Sequence, residues 1–292
     1  MINTVLGVDI GGSHITAALV DLETKAIVAG SEKRKFVDSN GSAEEILSSW
    51  CTLIQQTFEE HGITDKRMGI AMPGPFDYEQ GISLIRDQQK FRSLYQMNLK
   101  EALAKRLGMD QMDIVFINDA AAFLQGEVFG GAAMNFDTVL GLTLGTGLGA
   151  AMSRNGEAHD AALWNSPFKE GIAEDYLSTR WFLQAYRELT GEEIRGVKEL
   201  TELDGSRDGV HALFEEFAGN LAKFISDKAG EYSAAVVVLG GNISNASEYF
   251  LPALNQALKD KDSSLQIRIA ELKEDAALIG AASCLRDLEK PH

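Results

Sequence analysis

The sequence predicts an α/β protein made of two similar domains that face each other across a cleft. Three observations carry that expectation. Strand-like runs alternate with helical runs along most of the chain, the pattern of layered α/β architecture. One strand–turn–strand unit occurs twice, as GVDIGGS (7–13) and GLTLGTG (141–147), once in each half; a repeat at that scale implies a duplicated domain. Finally, 292 residues are long for one core and comfortable for two. The expected boundaries are 1–120 plus 273–292 for the first domain and 121–272 for the second.

Each element follows from its own signal. Residues 4–10 and 15–21 read as strands flanking a Gly-Gly-Ser turn, and a third run lies near 26–30. Residues 43–60 carry Ile46, Leu47, Trp50, Leu53, Ile54 and Phe58 at helical spacing. RMGIAMPGPFD (67–77) is a short strand entering a Pro-Gly-Pro turn, 99–107 a helix, and DIVFIND (113–119) a strand that ends at Asn118-Asp119. A helix follows over 120–129. TVLGLTLGTGLGAAMSRNG (138–156) gives a second hairpin with a turn at Asn155-Gly156. Helical spacing returns over 172–190 and 210–229. SAAVVVLGGNIS (233–244) is a buried strand running into a glycine turn, and a final strand and helix close the chain.

Composition removes several function classes. Hydrophobic residues make up 45% and charged residues 24%, a globular balance without the signature of disorder. No run approaches the roughly 20 apolar residues of a membrane span, and no basic, apolar leader opens the chain, so a soluble cytoplasmic protein is expected. Two distant cysteines, Cys51 and Cys284, imply neither a disulfide framework nor a metal motif. The formal net charge of −16 argues against nucleic acid as a partner. An anionic nucleotide would have to be held by local backbone N–H groups and a metal, against the global field.

The glycine turns suit that task. Gly11-Gly12-Ser13 and Gly145-Thr146-Gly147 let successive N–H groups converge without Cβ interference, and the Ser13 and Thr146 hydroxyls add donors. A third turn contains Gly240 and Gly241. Taken singly, each is also explained by hairpin twist. Asp9 is the sharper clue. A carboxylate in a buried strand costs several kcal/mol unless it is bonded, paired or facing a cation, and one beside a phosphate turn can hold Mg²⁺ through water. A structural Asp capping the turn is the alternative.

These motifs resemble those of the ROK family of sugar kinases and sugar-responsive repressors, within the actin-like, hexokinase-type (ribonuclease H-like) superfamily. GVDIGGSHITAALVD (7–21) is similar to its first phosphate motif and PGPFDYEQG (73–81) to its Pro-Gly-Pro loop. FINDAAAFLQGE (116–127) is similar to its Asn-Asp sugar motif, LTLGTGLGAAMSRNG (142–156) to its second phosphate motif, VVVLGGNIS (236–244) to its adenosine-side motif, and EDAALIGAA (274–282) to its closing helix. Six motifs in the family's order, nearly end to end, make a specific likeness.

The resemblance implies an actin-like fold and transfer of the ATP γ-phosphoryl group to a hexose hydroxyl, with closure that excludes water. It implies Asp119 as general base, with Asn118, Glu174, Asn165 and Gly74 at the sugar. It also implies the first two glycine turns on the ATP phosphates, Gly240 and Gly241 by the adenosine, Asp9 near Mg²⁺, and a homodimer. A helix cap at a strand end is the plainer reading of Asn118-Asp119 alone.

The chain departs from the family at one place. The usual Glu-x-Gly-His and cysteine-rich zinc loop are missing, so no structural zinc is expected. Aligned on Asn155-Gly156 and Glu174, the absent glutamate and histidine fall near Ala162 and Asn165. Glu157 and His159 are a rival pair, but their spacing is one residue short, and His159 reads as a surface residue. His14 reads as a side chain of the second strand without a catalytic role. Trp164 and Phe168 are candidates to line the sugar pocket or to pack a shortened loop. The cluster EKRKF (32–36) reads as a solvated face. The departure leaves open a kinase for an N-acetylated hexose and a non-catalytic sugar-binding regulator. The first phosphate motif starts too near residue 1 to leave room for the DNA-binding helix-turn-helix of repressor members, and retention of both phosphate motifs and the base favours the enzyme.

Overall fold

The structure, a computed structural model, describes residues 4–86, 90–203, 209–260 and 265–286. The chain opens with β1 (Thr4–Ile10), β2 (His14–Asp21), β3 (Ala26–Ile27) and β4 (Lys33–Phe36), then α1 (Ala43–Glu60) and β5 (Met68–Met72). Short β6 (Phe76–Asp77) and β7 (Ile82–Ser83) precede α2 (Leu99–Leu107), β8 (Ile114–Asn118) and α3 (Asp119–Gly130). Next come β9 (Thr138–Leu144), β10 (Leu148–Arg154), β11 (Glu157–Asp160), β12 (Pro167–Phe168) and β13 (Gly171–Ile172), then α4 (Ala173–Tyr176), α5 (Thr179–Thr190), α6 (Val197–Glu202) and α7 (Val210–Tyr232). β14 (Val236–Gly240), α8 (Ser247–Lys259), β15 (Gln266–Ile269) and α9 (Asp275–Ser283) end it. Two compact units emerge, Met1–Gly131 with Glu274–His292, and Ala132–Lys273.

In the first unit the sheet runs β3-β2-β1-β5-β8, with β4 also paired to β2. β1 and β2 are antiparallel, whereas β5 and β8 lie parallel to β1. All five residues of β5 are buried, as a central strand covered on both faces requires. On one face α1 is started by a capping box, in which Ser42 Oγ accepts from Glu45 N–H and Glu45 accepts from Ser42 N–H at 2.8 Å. Its buried Trp50 packs edge-on against Phe91, ring centres 5.7 Å apart.

α9 lies directly on this sheet. A Cβ on Gly7 of β1 would overlap the Leu278 carbonyl, and one on Gly69 of β5 the Ala281 carbonyl. The same helix meets α3 backbone to backbone, Gly280 against Ala122 and Gly126 against Ala276. That contact puts α3 in the first unit and moves the boundary from residue 120 to about Gly131.

The second unit repeats the plan. Its sheet runs β11-β10-β9-β14-β15, again an antiparallel hairpin followed by two parallel strands. β1 (TVLGVDI) and β9 (TVLGLTL) share four residues, the same alternation of buried and half-buried positions, and a following three-residue turn. Asp9 and Thr143 hold the same place in the two copies, so the acid belongs to the first alone. β14 is buried throughout, like β5, and the core below it is aromatic, with Phe182, Phe214, Phe217, Phe224 and Phe250 all buried.

Several elements differ from the sequence reading. The predicted helix over 172–190 breaks at Leu177-Ser178 into α4 and α5. Asn155-Gly156 turns β10 into β11, a strand the sequence reading leaves out, with both residues at positive φ. α6 and α8 are also additional. The run near 26–30 shortens to Ala26–Ile27. EKRKF contains an edge strand whose side chains are exposed apart from the half-buried Lys33, so the solvated face holds and its charges also guard the sheet edge.

Candidate active site

Asp9 sits one residue before the end of β1, opposite Thr16 on β2 and level with Ala71 on β5. Burial pushes its carboxyl up from the usual carboxylate range to about 6; the Asp119 charge adds to the rise and Arg34 opposes it. Asp9, Gly11, Gly12 and Ser13 line an open pocket of about 350 Å³, with His14, Thr16, Glu32, Arg34 and the start of α9. Gly11 N–H donates to the His14 carbonyl (2.9 Å) and Val37 N–H to that of Ser13 (2.9 Å), which fixes the turn. Ser13 Oγ lies 2.9 Å from His14 Nδ1. At the far wall Asp275 also has a raised pKa, from burial first and Glu274 second.

Folding stability should report on Asp9. A folded-state pKa near 6, above the ordinary value of 3.8, means that the native chain holds this proton more tightly. The resulting stability is complete below about pH 4 and is lost as pH rises through about 6. Asp9→Asn is therefore expected to stabilise the ligand-free protein at pH 8 by on the order of 1 kcal/mol, with the gain vanishing near pH 4. Calorimetric melting at both pH values measures this; a variant less stable than wild type at pH 8 contradicts it.

Two strands from Asp9, β8 delivers Asn118 and Asp119 at its C-terminal end. Ile117 pairs with Ala71, which pairs with Asp9, so the backbone at Ile117 lies about two inter-strand spacings, on the order of 10 Å, from that at Asp9, and Asp119 follows two residues later at the start of α3. Asn118 is buried, and its Oδ1 accepts from Ala120 N–H (2.9 Å) and Ala121 N–H (3.1 Å), capping α3. Its Nδ2 donates to Tyr78 Oη at 3.2 Å, and Tyr78 donates to the Met72 carbonyl at 3.0 Å. Asn118 is thus chiefly a cap that aims Asp119, with one amide hydrogen left for a ligand. Asp119 itself is exposed on the first turn of α3, with Oδ1 accepting from Ala120 N–H. Gly74 lies within the same loop, where a Cβ would stand 3.3 Å from Tyr78 Oη; the Gly74-Pro75 peptide is cis.

The second unit gathers the other predicted residues around the β9–β10 turn. Gly145 N–H donates to Gly147 O at 3.0 Å, and Thr179 N–H to Gly145 O at 2.7 Å. One Glu174 oxygen accepts from Leu148 N–H (3.0 Å) beside Gly147, and the other pairs with Arg180. Gly240 pairs with Thr143 across β14 and β9. Gly241, at φ 80°, passes so near β9 that a Cβ would overlap the Leu144 carbonyl. The glycine pair therefore borders the second turn.

The shortened loop behaves differently. Asn165 is exposed at the end of a single 3₁₀ turn, Leu163–Asn165, next to a half-exposed Trp164. Phe168 is not available to a sugar: it is buried, its ring 5.5 Å from that of Tyr176 and 5.9 Å from that of Phe224. Glu157 and His159 are exposed on β11. Among the described residues no three His, Cys, Asp or Glu side chains group to hold a metal, and no helix is long and apolar enough to cross a membrane.

Sequence reasoning missed three neighbours of these residues. Tyr78 was visible within PGPFDYEQG, and Arg180 lies six residues after Glu174. Arg34 was signalled by the alternation of EKRKF, which puts it and its flanking lysines on opposite faces.

Comparison with known proteins finds relatives along nearly the whole chain. A Thermotoga maritima protein described as a glucokinase is 26% identical over 97% of both chains. A Pectobacterium carotovorum N-acetyl-D-glucosamine kinase is 24% identical, covering 84% of this chain and 85% of its own. Among solved structures, a ROK family glucokinase from Streptomyces griseus, in complex with glucose and AMPPNP, superposes with a TM-score of 0.77 at 24% identity, covering 97% and 99% of the two chains. The fold is the two-domain actin-like one of these proteins. The ROK family profile matches residues 5–162 and 169–287, interrupted only across the short loop that holds Trp164 and Asn165. With both glycine-turn hairpins and the capped Asn-Asp strand end inside that match, the chain belongs to the ROK family.

Proposed function

We infer that this protein is an ATP-dependent sugar kinase that transfers a phosphoryl group to a hexose hydroxyl. The observation that carries this reading is the placement of Asp119. An exposed carboxylate on the first turn of a capped helix directly follows β8, two strands from the β1 that leads into the Gly11–Ser13 turn. A proton acceptor beside a polyphosphate cradle is what phosphoryl transfer to an alcohol requires.

In this reading the hydroxyl oxygen attacks the terminal phosphorus as its proton passes to Asp119, and the bond to the departing ADP oxygen breaks with its electron pair. The N–H groups of Gly12 and Ser13, and of Thr146 and Gly147, serve phosphate oxygens, while those of Gly11 and Gly145 close the turns that present them. Gly240 and Gly241 serve the adenosine. Asn118, Gly74, Glu174 and Asn165 serve the sugar, Asn118 mainly by holding Asp119 in place. One half-buried carboxylate, Asp9, fits a magnesium ion that keeps most of its water; when bound with the nucleotide, that ion neutralises phosphate charge. Cys51 and Cys284 form no disulfide, which suits a reducing cytoplasm, and a homodimer fits the family.

The N-acetyl-D-glucosamine kinase relatives support a second substrate class, N-acetylated hexoses. Incubation with ATP, Mg²⁺ and a panel of hexoses and N-acetylhexosamines is expected to give ADP release that depends on one sugar of the panel. No ADP release with any sugar would favour a regulator without kinase activity.

A further inference from the structure

The edge strand β4 brings a cation to the phosphate turn. Successive side chains of a strand point to opposite faces, and β4 sorts its charges accordingly. Lys33 pairs with Glu60 at the end of α1 (2.6 Å), and Lys35 lies beside Glu44 and Glu45 at its start. Arg34 points the other way, into the wall of the 350 Å³ pocket. Register places it in a cross-strand row: Asp9 of β1 opposes Thr16 of β2, and Thr16 opposes Arg34. Side chains directly opposite on neighbouring strands share a face. Asp9, Thr16 and Arg34 therefore form one line under the Gly11–Ser13 turn.

The charge around that line calls for a basic group. Asp9, Glu32, Glu274 and Asp275 all line the pocket; among the described residues Arg34 is the one Lys or Arg in its lining, and the Lys90 side chain approaches Gly12 from outside it. A triphosphate tail held against four carboxylates needs cationic side chains as well as backbone N–H groups and a metal ion. A guanidinium offers a rigid fork of donors that matches phosphate oxygens and carries full charge at any working pH.

We propose that Arg34 binds the terminal phosphate of the nucleoside triphosphate at the Gly11–Ser13 turn, acting as the side-chain cation that stabilises the phosphoryl group in transfer. The proposal rests on the kinase reading for its catalytic part and on the pocket alone for its binding part. Thr16, between Asp9 and Arg34, keeps the acid and the guanidinium one strand apart, which leaves room for oxygens of the ligand.

Four proteins test it: wild type, Arg34→Gln, Arg34→Lys, and Lys33→Gln as the opposite-face control. Calorimetric titration with Mg²⁺ and a non-hydrolysable ATP analogue should show at least tenfold weaker binding for Arg34→Gln, with ADP affinity within threefold. Arg34→Lys should recover part of the loss and Lys33→Gln should match wild type. In turnover, Arg34→Gln should lower kcat about 100-fold with sugar KM within threefold. Analogue affinity within threefold of wild type, or an equal loss for ADP, overturns the proposal. A wild type that binds the analogue but phosphorylates no sugar removes the kinase reading, and the same titrations still decide Arg34. Binding of neither nucleotide by the wild type removes both.

Discussion

Asp119→Asn is expected to lower kcat about 1000-fold and to leave sugar binding within about threefold of wild type. The substitution keeps the shape of the side chain and an oxygen that can accept from Ala120 N–H, as Asp119 Oδ1 does at 2.8 Å. Capping of α3 is unaffected because that task falls to Asn118, whose Oδ1 takes the N–H groups of Ala120 and Ala121. What disappears is the capacity to take a proton. Without it the attacking oxygen must carry its hydrogen further along the reaction path, and the barrier rises by about 4 kcal/mol for that factor of 1000. Steady-state kinetics, equilibrium sugar binding and thermal melting on one preparation separate the effects. Turnover near wild type would remove Asp119 as the base; a large drop in Tm would move its role to the fold.

The second large effect concerns stability. Gly280→Ala adds one methyl group at the crossing of α9 and α3, where it would overlap the Ala122 carbonyl oxygen. The obstacle is the main chain of α3 at Ala122 and Gly126, so no rotamer change relieves it. α9 is also held from below, because Gly7 and Gly69 of the sheet admit the backbone at Leu278 and Ala281 with no room for a Cβ. The helices must separate, opening gaps around Ala71, Ala122 and Ala281, which pack together there. A cost of about 3 kcal/mol is expected, at the upper end for overpacking, or roughly 6–12 °C in Tm for a unit of this size. Since α3 carries Asp119 and α9 forms a wall of the Asp9 pocket, activity should fall even below the melting transition. Ser283→Ala, one turn on, removes only a hydrogen bond from Oγ to the Gly280 carbonyl (2.8 Å) and should cost about 1 kcal/mol.

Much of this design can be read directly in the chain, and the reasons are local. The repeat TVLGVDI/TVLGLTL announces two copies of one hairpin because the same burial pattern and the same turn length demand the same residues. Helix α1 matches its expected limits since periodicity and the Ser42–Glu45 capping box agree. Where local signals conflict, sequence reading fails. Pro252 argues against a helix, yet Phe250, Leu254 and Leu258, spaced by four, bury α8 in the second core. Over 172–190 the spacing is helical throughout, but Thr179 N–H is drawn to the Gly145 carbonyl, and the helix restarts there.

Site residues follow the same rule. Asp9 stands out from sequence because an acid in a buried strand is conspicuous. The meaning of Arg34 depends on a pairing across eighteen residues that composition does not reveal. Glu174 is recognisable by its motif, but its link to Leu148 N–H beside the second turn is a tertiary fact.

The central claim is that a phosphoryl group leaves ATP and appears on a sugar oxygen. Phosphorus NMR of the reaction mixture, with the panel of hexoses and N-acetylhexosamines supplied one at a time, observes that event directly. The expected spectrum gains one sugar phosphomonoester resonance as ADP grows in equal amount, and Asp119→Asn slows the growth of both about 1000-fold. Inorganic phosphate as the sole new product, or ATP unchanged with every sugar, would contradict the claim.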